Sequence, residues 1–550
     1  MLVLGRSRPP VRAEPLDLIP YVFDGVGYRP WEGAKVWLIE GDAGPLRFKL
    51  MRFGFRPSRS FVPRLAEEQR RGLVKPKRPV LAAVYRRGGE LYWTTDGESV
   101  HVGGCPDADV IAVRGQSLGC APRALDVGRR MWDELAEEDE SWLLRALAGK
   151  PEDYVVAIYK LAERRLRLYE AVAEIAGIGV DAVLEFLRTN SLAAVAEALF
   201  HWEAEKEGIA LEDRRRMLNM PKWDFARGRR PGVYKSVAEY DFFSLFPSIV
   251  AAQGVDPLGI RECSDGVPVK TLLGTKRVCF EGGPVSAVIS SLLSRRIESS
   301  DAYVREALKF LMNAGIGAWG KAGWGLVCEP CLYFVRAEAH RLFDQAWRDL
   351  EPIYGDTDSI YVEESKMDLV ESWARSLRGL KLRLEAVWEY FLLAPSEDGG
   401  VAEKNHLKIR GDHVVVKGSK LRPHDLPVAA RLVYKHIVAR AVREGTDPLA
   451  LLASVLRGAP AGGLFVLRSI ESRGGRTRSV QRIASFEDSR YADVFYLPGR
   501  GVIYTPKGAI RGRTVGDYSE REIREAAVEY VRRLAKIRAL RSLLLTTALW

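Results

Sequence analysis

Two aspartates separated by one threonine lie in a glycine turn between apolar runs, in the segment PIYGDTDSIYVEE at residues 352–364. The apolar residues on both sides of the turn predict a β-hairpin. Carboxylates this close repel each other, and one of them would bind a proton unless a cation lay between them. A divalent metal ion is the usual cation, so the segment predicts a metal site to which other parts of the chain contribute ligands.

The Asp-Thr-Asp sequence has two other interpretations. Asp and Thr favour turns, so the segment can be a turn without further function. A DxD sequence can also hold the metal ion of a nucleotide-sugar glycosyltransferase. Neither interpretation explains the helix predicted by LKFLMNAGIGAWGK at 308–321, in which Lys309, Asn313 and Ile316 fall on one face.

A third aspartate, Asp241, closes the predicted strand VAEYD, 117 residues before Asp358. Two carboxylates at the ends of neighbouring strands can hold two Mg²⁺ ions whose shells are completed by substrate phosphates. We therefore expect Asp241 and Asp358 to be catalytic, with Asp356 tuning the site. Lys309 and Asn313, together with Arg296 on the preceding helix, would contact an incoming triphosphate.

Length and charge indicate the number of domains and the kind of partner to expect. A chain of 550 residues is too long for one core, so several domains are expected. Residues 401–550 carry 28 Lys and Arg against 14 Asp and Glu, whereas residues 1–400 carry 55 against 58. This basic C-terminal part predicts a nucleic-acid partner, with a solubilising surface as the alternative. The sequence has no apolar run that would span a membrane or form a signal peptide, so we expect a cytoplasmic protein.

Six cysteines occur, and Cys328-Glu-Pro-Cys331 is half of the pattern of a zinc site. Asn and Gln are scarce while Arg and Glu are abundant, a composition that is typical of thermophiles. Disulfides are therefore an alternative to zinc even inside a cell.

Three segments resemble motifs of family B DNA polymerases. DFFSLFPSI (241–249) resembles motif A, KFLMNAGIG (309–317) resembles motif B, and YGDTDS (354–359) matches motif C. The resemblance covers residues 236–420. It implies an α+β multidomain protein, a right-hand polymerase with palm, fingers and thumb. It also implies template-directed addition of dNTPs to a primer 3′-OH, with two Mg²⁺ ions for which Mn²⁺ can substitute.

The resemblance assigns roles to particular residues of this chain. Asp241, Phe242 and Asp358 would bind the metal ions. The triphosphate would lie on the backbone of Phe242, Ser244, Leu245 and Phe246. It would also contact the polar side chains of Arg296, Lys309 and Asn313. Primer–template DNA would contact Lys404, Lys417, Arg473, Arg476 and Arg478. The resemblance also favours the disulfides Cys263–Cys279 and Cys328–Cys331, because hyperthermophilic archaeal relatives have cysteine pairs in both places.

Several positions depart from the family pattern. Phe246 replaces the tyrosine that excludes ribose, and its ring predicts the same preference for dNTPs. Ala314 and Ile316 replace the serine and tyrosine of motif B, which puts fidelity in doubt. Ser300 stands where archaeal relatives tend to have a second lysine.

Residues 79–120 resemble the RNase H-like scaffold of the family's 3′–5′ exonuclease without its acidic residues. RGQSLGC (114–120) replaces an Asn-x-x-x-Phe-Asp motif, and LRFKLMRFG (46–54) contains no Asp-x-Glu. Asp153 alone cannot hold two metal ions. We predict no proofreading, as in the shortened, exonuclease-degenerate archaeal paralogues, and infer a role in lesion bypass or repair synthesis.

These observations predict a division of the chain into six regions. Residues 1–45 are expected to be irregular, and 219–233 to be a linker at the start of the palm. The regions are 1–45, a short N-terminal region; 46–218, a degenerate exonuclease-like domain; 219–284, palm; 285–325, fingers; 326–424, palm; and 425–550, a basic thumb.

We expect a monomer, for which a sliding clamp is a candidate partner. The alternative function is that of a catalytically weak or inactive relative that binds primer–template or assists replication.

Overall fold

The computed structural model of this chain describes most of the sequence from residue 2 to residue 544. The described residues are 2–39, 50–53, 55–58, 62–87, 89–114, 120, 124–128, 150–189, 191–215, 221, 223, 225–320, 324–471, 491–497, 502–505, 508–511, 519–534, 537–538, 540–541 and 544.

In the N-terminal part, the described residues include short strands and a short helix. In chain order these are β1 (Leu2–Gly5), β2 (Ala13–Leu16), β3 (Ile19–Phe23), β4 (Tyr28–Pro30), β5 (Lys35–Ile39), β6 (Arg56–Ser58), α1 (Arg64–Arg70), β7 (Leu81–Arg87), β8 (Glu90–Thr94), β9 (His101–Val102), β10 (Val110–Val113) and β11 (Ala124–Asp126). One sheet has the order β2-β5-β1-β6 and a second has the order β11-β10-β7-β8-β9. The expectation that residues 1–45 are irregular was wrong, because these strands are only three to five residues long and show no hydrophobic period.

Among the described residues, three helices and two short strands follow, and the first of these strands pairs with β3. They are α2 (Pro151–Ala176), α3 (Val180–Thr189), α4 (Ala193–Lys206), β12 (Ile209–Leu211) and β13 (Arg214–Arg215). Helix α2 begins with a proline and two acidic residues in its first turn, which favour a helix start. It ends at Gly177, which has a φ of 65°, a left-handed conformation that glycine adopts without strain.

The central part alternates long strands with helices. Its elements are β14 (Ala226–Gly228), β15 (Gly232–Phe242), α5 (Leu245–Gln253), β16 (Ile260–Thr271), β17 (Gly274–Phe280), α6 (Pro284–Glu298), α7 (Ala302–Ala318), β18 (Trp324–Gly325), α8 (Glu329–Leu350), β19 (Tyr354–Asp356), β20 (Ser359–Glu363), α9 (Met367–Arg375), β21 (Leu382–Pro395), β22 (Val401–Arg410) and β23 (His413–Val416).

Seven of these strands form one antiparallel sheet with the order β14-β19-β20-β15-β21-β22-β23. Its middle strand, β15, buries Val237 and Ala238 completely. Strand β14 pairs with β19 at one edge, so the segment predicted to be a linker belongs in part to the sheet. Only three residues of that segment form the strand, and the breakers around them hide it from the sequence pattern.

The C-terminal part packs on the far strands of the central sheet. Its elements are α10 (Val428–Glu444), α11 (Pro448–Gly458), β24 (Val466–Glu471), β25 (Tyr491–Leu497), β26 (Val502–Thr505), β27 (Gly508–Arg511) and α12 (Glu520–Arg533). Leu392 of β21 and Leu407 of β22 share one buried core with Tyr434 of α10 and Ala527 of α12. Elsewhere, one large core joins helices α2 to α8 with strands of the central sheet.

Three disulfides link all six cysteines. Cys263 joins Cys279 across the β16–β17 hairpin, Cys328 joins Cys331 at the start of α8, and Cys105 joins Cys120. The last pair was not expected from the sequence. Within the described residues, no helix is long and apolar enough to cross a membrane.

Candidate active site

A cavity of about 870 Å³ opens between the central sheet and the helices α6, α7 and α8. One wall is formed by strand β15, the β19–β20 turn and β21. The other is formed by the facing sides of α6 and α7. Asp241 and Asp358 line the first wall, whereas Arg296, Lys309 and Asn313 line the second. The cavity thus brings together the three sequence motifs singled out above.

Strand pairing places the two aspartates next to each other. In the β15–β20 ladder Asp241 lies opposite Ser359, whose hydroxyl donates to the Asp241 carboxylate at 3.4 Å. The backbone N–H of Phe242 donates to the carbonyl oxygen of Asp358 at 2.8 Å. Two acidic residues that are 117 positions apart in the sequence therefore meet at one end of the sheet.

The turn that carries Asp358 is tight and strained. Thr357 has a φ of 60°, a left-handed conformation that costs a non-glycine residue of the order of 1–3 kcal/mol. Gly355 lies so close to helix α8 that a Cβ atom there would stand 2.6 Å from the ring of Phe343. Ser244, three residues after Asp241 and directly before α5, also has a positive φ of 50°. Strained residues of this kind persist only where the surrounding structure holds them in place, and they cluster at functional sites.

Burial and mutual repulsion disfavour the charged forms of both aspartates. Burial, together with the charges of Asp358 and Glu385, raises the pKa of Asp241 to about 7 against the opposing effect of Lys309. Burial also raises the pKa of Asp358, although its own backbone N–H and the charge of Lys309 lower it. A bound cation would relieve this repulsion.

A buried polar cluster supports the strand that carries Asp241. The carboxylate of Glu239, two residues earlier, accepts hydrogen bonds from Tyr361 at 2.7 Å and Trp388 at 2.6 Å. It also pairs with the ammonium group of Lys408 at 2.7 Å. Burial alone would raise the pKa of Glu239, but the hydrogen bonds and charge of Lys408 outweigh it and lower that pKa. The cluster fixes β15 against β20, β21 and β22 just below the cavity.

Helix α7 presents its predicted face to the cavity. Asp301 caps the helix by accepting hydrogen bonds from the backbone N–H groups of Tyr303 and Val304 at 2.7 and 3.0 Å. The cap fixes where the helix begins, and from there Lys309, Asn313 and Ile316 all reach the cavity.

Four of the residues expected at the triphosphate lie around the start of α5. Arg296 donates to the hydroxyl of Ser244, and its side chain is half-buried. Phe246 and the buried Leu245 line the same cavity as the backbone of Phe242. The ring of Phe246 packs edge-on against Phe225, with 6.4 Å between centroids.

Asp356 and Lys404 were also predicted at the site, and only Lys404 lines the cavity. Asp356 does not line the cavity; its carboxylate lies 3.6 Å from the ammonium group of Lys404. Lys404 itself lines the cavity and has a φ of 57°. Lys417 is exposed on the neighbouring edge of the sheet, and its charge lowers the pKa of Asp358. The predicted DNA contacts Arg473, Arg476 and Arg478 lie outside the described residues.

Sequence reasoning missed four charged residues of the cavity, namely Arg305, Arg336, Arg383 and Glu385. Arg305 lies four positions before Lys309, so the helical period was an available signal. Arg383 and Glu385 alternate along β21, but only the strand pairing brings them to Asp241. Arg383 lies opposite Asp241, and a shift in register leaves Glu385 as the extra residue of a β-bulge.

A second cleft, near the N-terminal sheet, is lined by the carboxylates of Asp96, Glu98, Glu152, Asp153 and Glu163. These groups do not converge. Among the described residues, the only three His, Cys, Asp or Glu side chains with ligand atoms within 4.8 Å of one another are Cys263, Asp265 and Cys279. Since the two cysteines are joined in a disulfide, they offer no thiolate to a metal ion.

The chain is similar to several known proteins. It is 24% identical over 268 residues to DNA polymerase 1 of Sulfolobus acidocaldarius, which covers 41% of this chain and 30% of the relative. It is 24% identical over 324 residues to the DNA polymerase of Archaeoglobus fulgidus, which covers 53% of this chain and 39% of the relative. The matched regions thus span well under half the length of these relatives. No family model matches the chain.

A solved structure extends the likeness to the whole fold. The family B DNA polymerase of the hyperthermophilic archaeon Pyrobaculum calidifontis has a TM-score of 0.58 to this chain at 15% identity. The match covers 95% of this chain and 90% of the other. At this identity the match concerns the fold.

Proposed function

We propose that this chain, a relative of the archaeal family B DNA polymerases, adds dNTPs to a primer 3′-OH under the direction of a DNA template. The observation that carries the proposal is the meeting of Asp241, Asp358, Lys309 and Asn313 in one cavity. On this proposal, residues 219–284 and 326–424 are the palm, 285–325 the fingers and 425–550 the thumb.

Two divalent cations, Mg²⁺ in the cell and Mn²⁺ as a substitute, would bind to Asp241, Asp358 and the backbone carbonyl of Phe242. The donors fit such ions, because they are oxygen atoms and because the two carboxylates repel each other without a cation. The chemistry supplied by such ions is activation of the 3′-OH and stabilisation of the charge on the attacked phosphate.

The opposite wall of the cavity would hold the nucleotide. Lys309 and Arg296 supply positive charge to the phosphates, and Asn313 supplies an amide donor. The backbone N–H groups at the start of α5, from Ser244 to Phe246, point their dipole at the same anion. The ring of Phe246, which lines the cavity, would exclude a 2′-hydroxyl and so favour dNTPs over rNTPs.

Primer–template DNA would lie along the basic C-terminal part and the edge of the sheet. Lys404 lines the cavity and Lys417 is exposed, and Arg473, Arg476 and Arg478 belong to a basic stretch of the sequence. Contacts of this kind neutralise phosphates and hold the duplex irrespective of sequence.

We further propose that the chain lacks a 3′–5′ exonuclease. The acidic cleft near the N-terminal sheet supports this, because among the described residues no three of its carboxylates bring oxygen atoms within 4.8 Å of one another. A polymerase without proofreading could extend primers past damaged bases, which would suit repair synthesis or lesion bypass. Extension opposite uracil, hypoxanthine and abasic sites tests this role, and stalling at all three would contradict it.

Primer extension tests the main proposal. The wild-type protein with Mg²⁺ and dNTPs should extend a labelled primer, Asp358→Ala should not, and Asp265→Ala, an acidic residue of the distant β16 strand, should behave as wild type. A primer with a mismatched 3′ end should not be shortened. Salt-sensitive binding of primer–template without extension by the wild type would favour the alternative, a polymerase relative that acts as a DNA-binding accessory protein.

A further inference from the structure

Three arginines from three different elements meet at one end of the cavity. We call Arg296 of α6, Arg305 of α7 and Arg383 of β21 the arginine triad; all three line the cavity. Only Arg296 was expected there from the sequence. The inference drawn from the triad rests on the proposed polymerase function and deepens it.

An aromatic ring organises two members of the triad. The guanidinium carbon of Arg383 lies 3.8 Å from the ring centroid of Phe243, and that of Arg296 lies 4.7 Å from the same centroid. Arg383 is also the strand neighbour of Asp241 in the β15–β21 ladder, so its side chain leaves the sheet on the face that carries the catalytic aspartate. Stacking on Phe243 holds both groups in place at the cavity wall.

The third member is held by the junction between the two helices. The guanidinium group of Arg305 donates to the backbone carbonyl oxygens of Ser299 and Ser300 at 3.3 and 3.1 Å. These carbonyl groups end α6, where cations are favoured. Arg305 thus lines the cavity at the junction of α6 and α7, near enough for its charge to act on Arg296.

In the described part of the chain, no ion pair with a carboxylate neutralises the triad, and Asp241 and Glu385 act on Arg296 only at longer range. Among the described residues, no carboxylate oxygen lies within 4.0 Å of any of the three guanidinium groups. The Nε atom of Arg296 is buried and has no hydrogen-bond partner among them. Burial lowers the pKa of Arg296, and the charges of Arg383 and Arg305 lower it further. Like charges held this close call for a polyanion of several negative charges.

We propose that Arg305 and Arg383 join Arg296 in binding the terminal phosphates of the incoming nucleoside triphosphate, and that they make the site selective for triphosphates over diphosphates. The backbone of a DNA strand offers the same phosphate chemistry. The triphosphate is favoured because the triad shares its cavity with Asp241 and Lys309, and a volume of about 870 Å³ suits a single nucleotide.

The experiment measures single-nucleotide incorporation of dATP by Arg305→Ala and Arg383→Ala, each alone. Each substitution should raise the apparent KM for dATP about tenfold or more, because a charged hydrogen bond is lost. The value of kcat should change less than threefold, and the Kd of primer–template less than twofold. Arg383→Lys should give an intermediate KM, since it keeps the charge but loses the planar stacking group. Arg70→Ala is the matched control, an arginine that stacks on Trp202 at 5.6 Å outside the cavity.

A binding measurement separates this inference from the proposed function. A fluorescent dATP and the corresponding dADP are titrated into the protein with a dideoxy-terminated primer–template. The wild type should prefer the triphosphate, and both alanine variants should lose much of that preference, whether or not the chain catalyses extension. An unchanged KM and preference would overturn the inference. Weakened DNA binding with unchanged dATP binding would also overturn it, since the triad would then hold the DNA backbone.

Discussion

Asp241 and Asp358 lie side by side at the ends of neighbouring antiparallel strands, tied by a 2.8 Å hydrogen bond from the backbone N–H of Phe242 to the carbonyl oxygen of Asp358. The bond fixes the spacing of the two backbones, so both side chains leave the chain at adjacent positions at this end of the sheet. Since burial and repulsion raise the pKa of both groups, the pair is arranged to receive a cation.

Replacing Phe246 should weaken the preference for deoxyribonucleotides over ribonucleotides. The ring of Phe246 lines the cavity next to the start of α5, and Phe246→Ala removes the bulk that would meet a 2′-hydroxyl. The ratio of kcat/KM for dATP over ATP should fall by at least about tenfold. Leu332→Ala is the matched control, because this apolar side chain of α8 also lines the cavity and should affect the rate without changing the ratio. A ratio that is equal in wild type and Phe246→Ala would contradict this role.

Breaking the buried ion pair between Lys408 and Glu239, below the active site, should destabilise the protein. Lys408→Met leaves the carboxylate of Glu239 without its cation in a buried place, which costs about 3–5 kcal/mol in the free energy of unfolding. Lys408→Arg should retain most of the stability, and Lys420→Met, at an exposed lysine nearby, should cost little. Guanidinium unfolding curves measure all three variants. A Lys408→Met midpoint equal to that of the wild type would show that the pair contributes no stability.

His406 should make stability depend on pH. Burial lowers its pKa to about 3 in the folded protein, with Lys417 and Lys408 adding to the effect; in an unfolded chain a histidine titrates near 6.5. Between these values the unfolded state binds one more proton, so the free energy of unfolding falls as the pH drops from about 6.5 towards about 3. The surrounding groups are the rings of Tyr354, Tyr361 and Phe391, which lie 5.4–5.7 Å away.

His406→Phe removes this titration. Relative to the wild type, the variant should gain about 2–3 kcal/mol in unfolding free energy between pH 7.5 and pH 4.5. Unfolding curves at the two pH values give the difference directly. The same stability difference at both pH values would mean that His406 does not titrate in this way.

The basic C-terminal stretch should dominate the salt dependence of DNA binding. Replacing Arg473, Arg476 and Arg478 by Gln removes three phosphate contacts and should reduce the slope of log K against log salt concentration by about 2–3. The control is a triple replacement of Lys75, Lys77 and Arg78, of which the last two already pair with Asp109 and Glu170. Equal slopes for the wild type and the Arg473/Arg476/Arg478 variant would place the duplex elsewhere.

The extent to which the sequence predicts this molecule differs between local and long-range features. The hairpin around Asp358 and the face of α7 with Lys309 and Asn313 follow from turn residues and helical period, which are local signals. Arg383 and Glu385 could not be predicted, because their position at the site depends on the pairing of β21 with β15. The short N-terminal strands escaped prediction for another reason, since elements of three to five residues have no measurable period.

The most direct test of the account counts metal ions at the paired aspartates. Mn²⁺ is titrated, with its free ion followed by electron paramagnetic resonance, into the protein bound to a dideoxy-terminated primer–template and the matching dNTP; the dNTP alone is the reference. The wild-type complex should bind two Mn²⁺ ions tightly, and Asp358→Asn should bind no more than the reference. Equal Mn²⁺ binding by wild type and Asp358→Asn would contradict the claim that Asp241 and Asp358 serve a divalent cation.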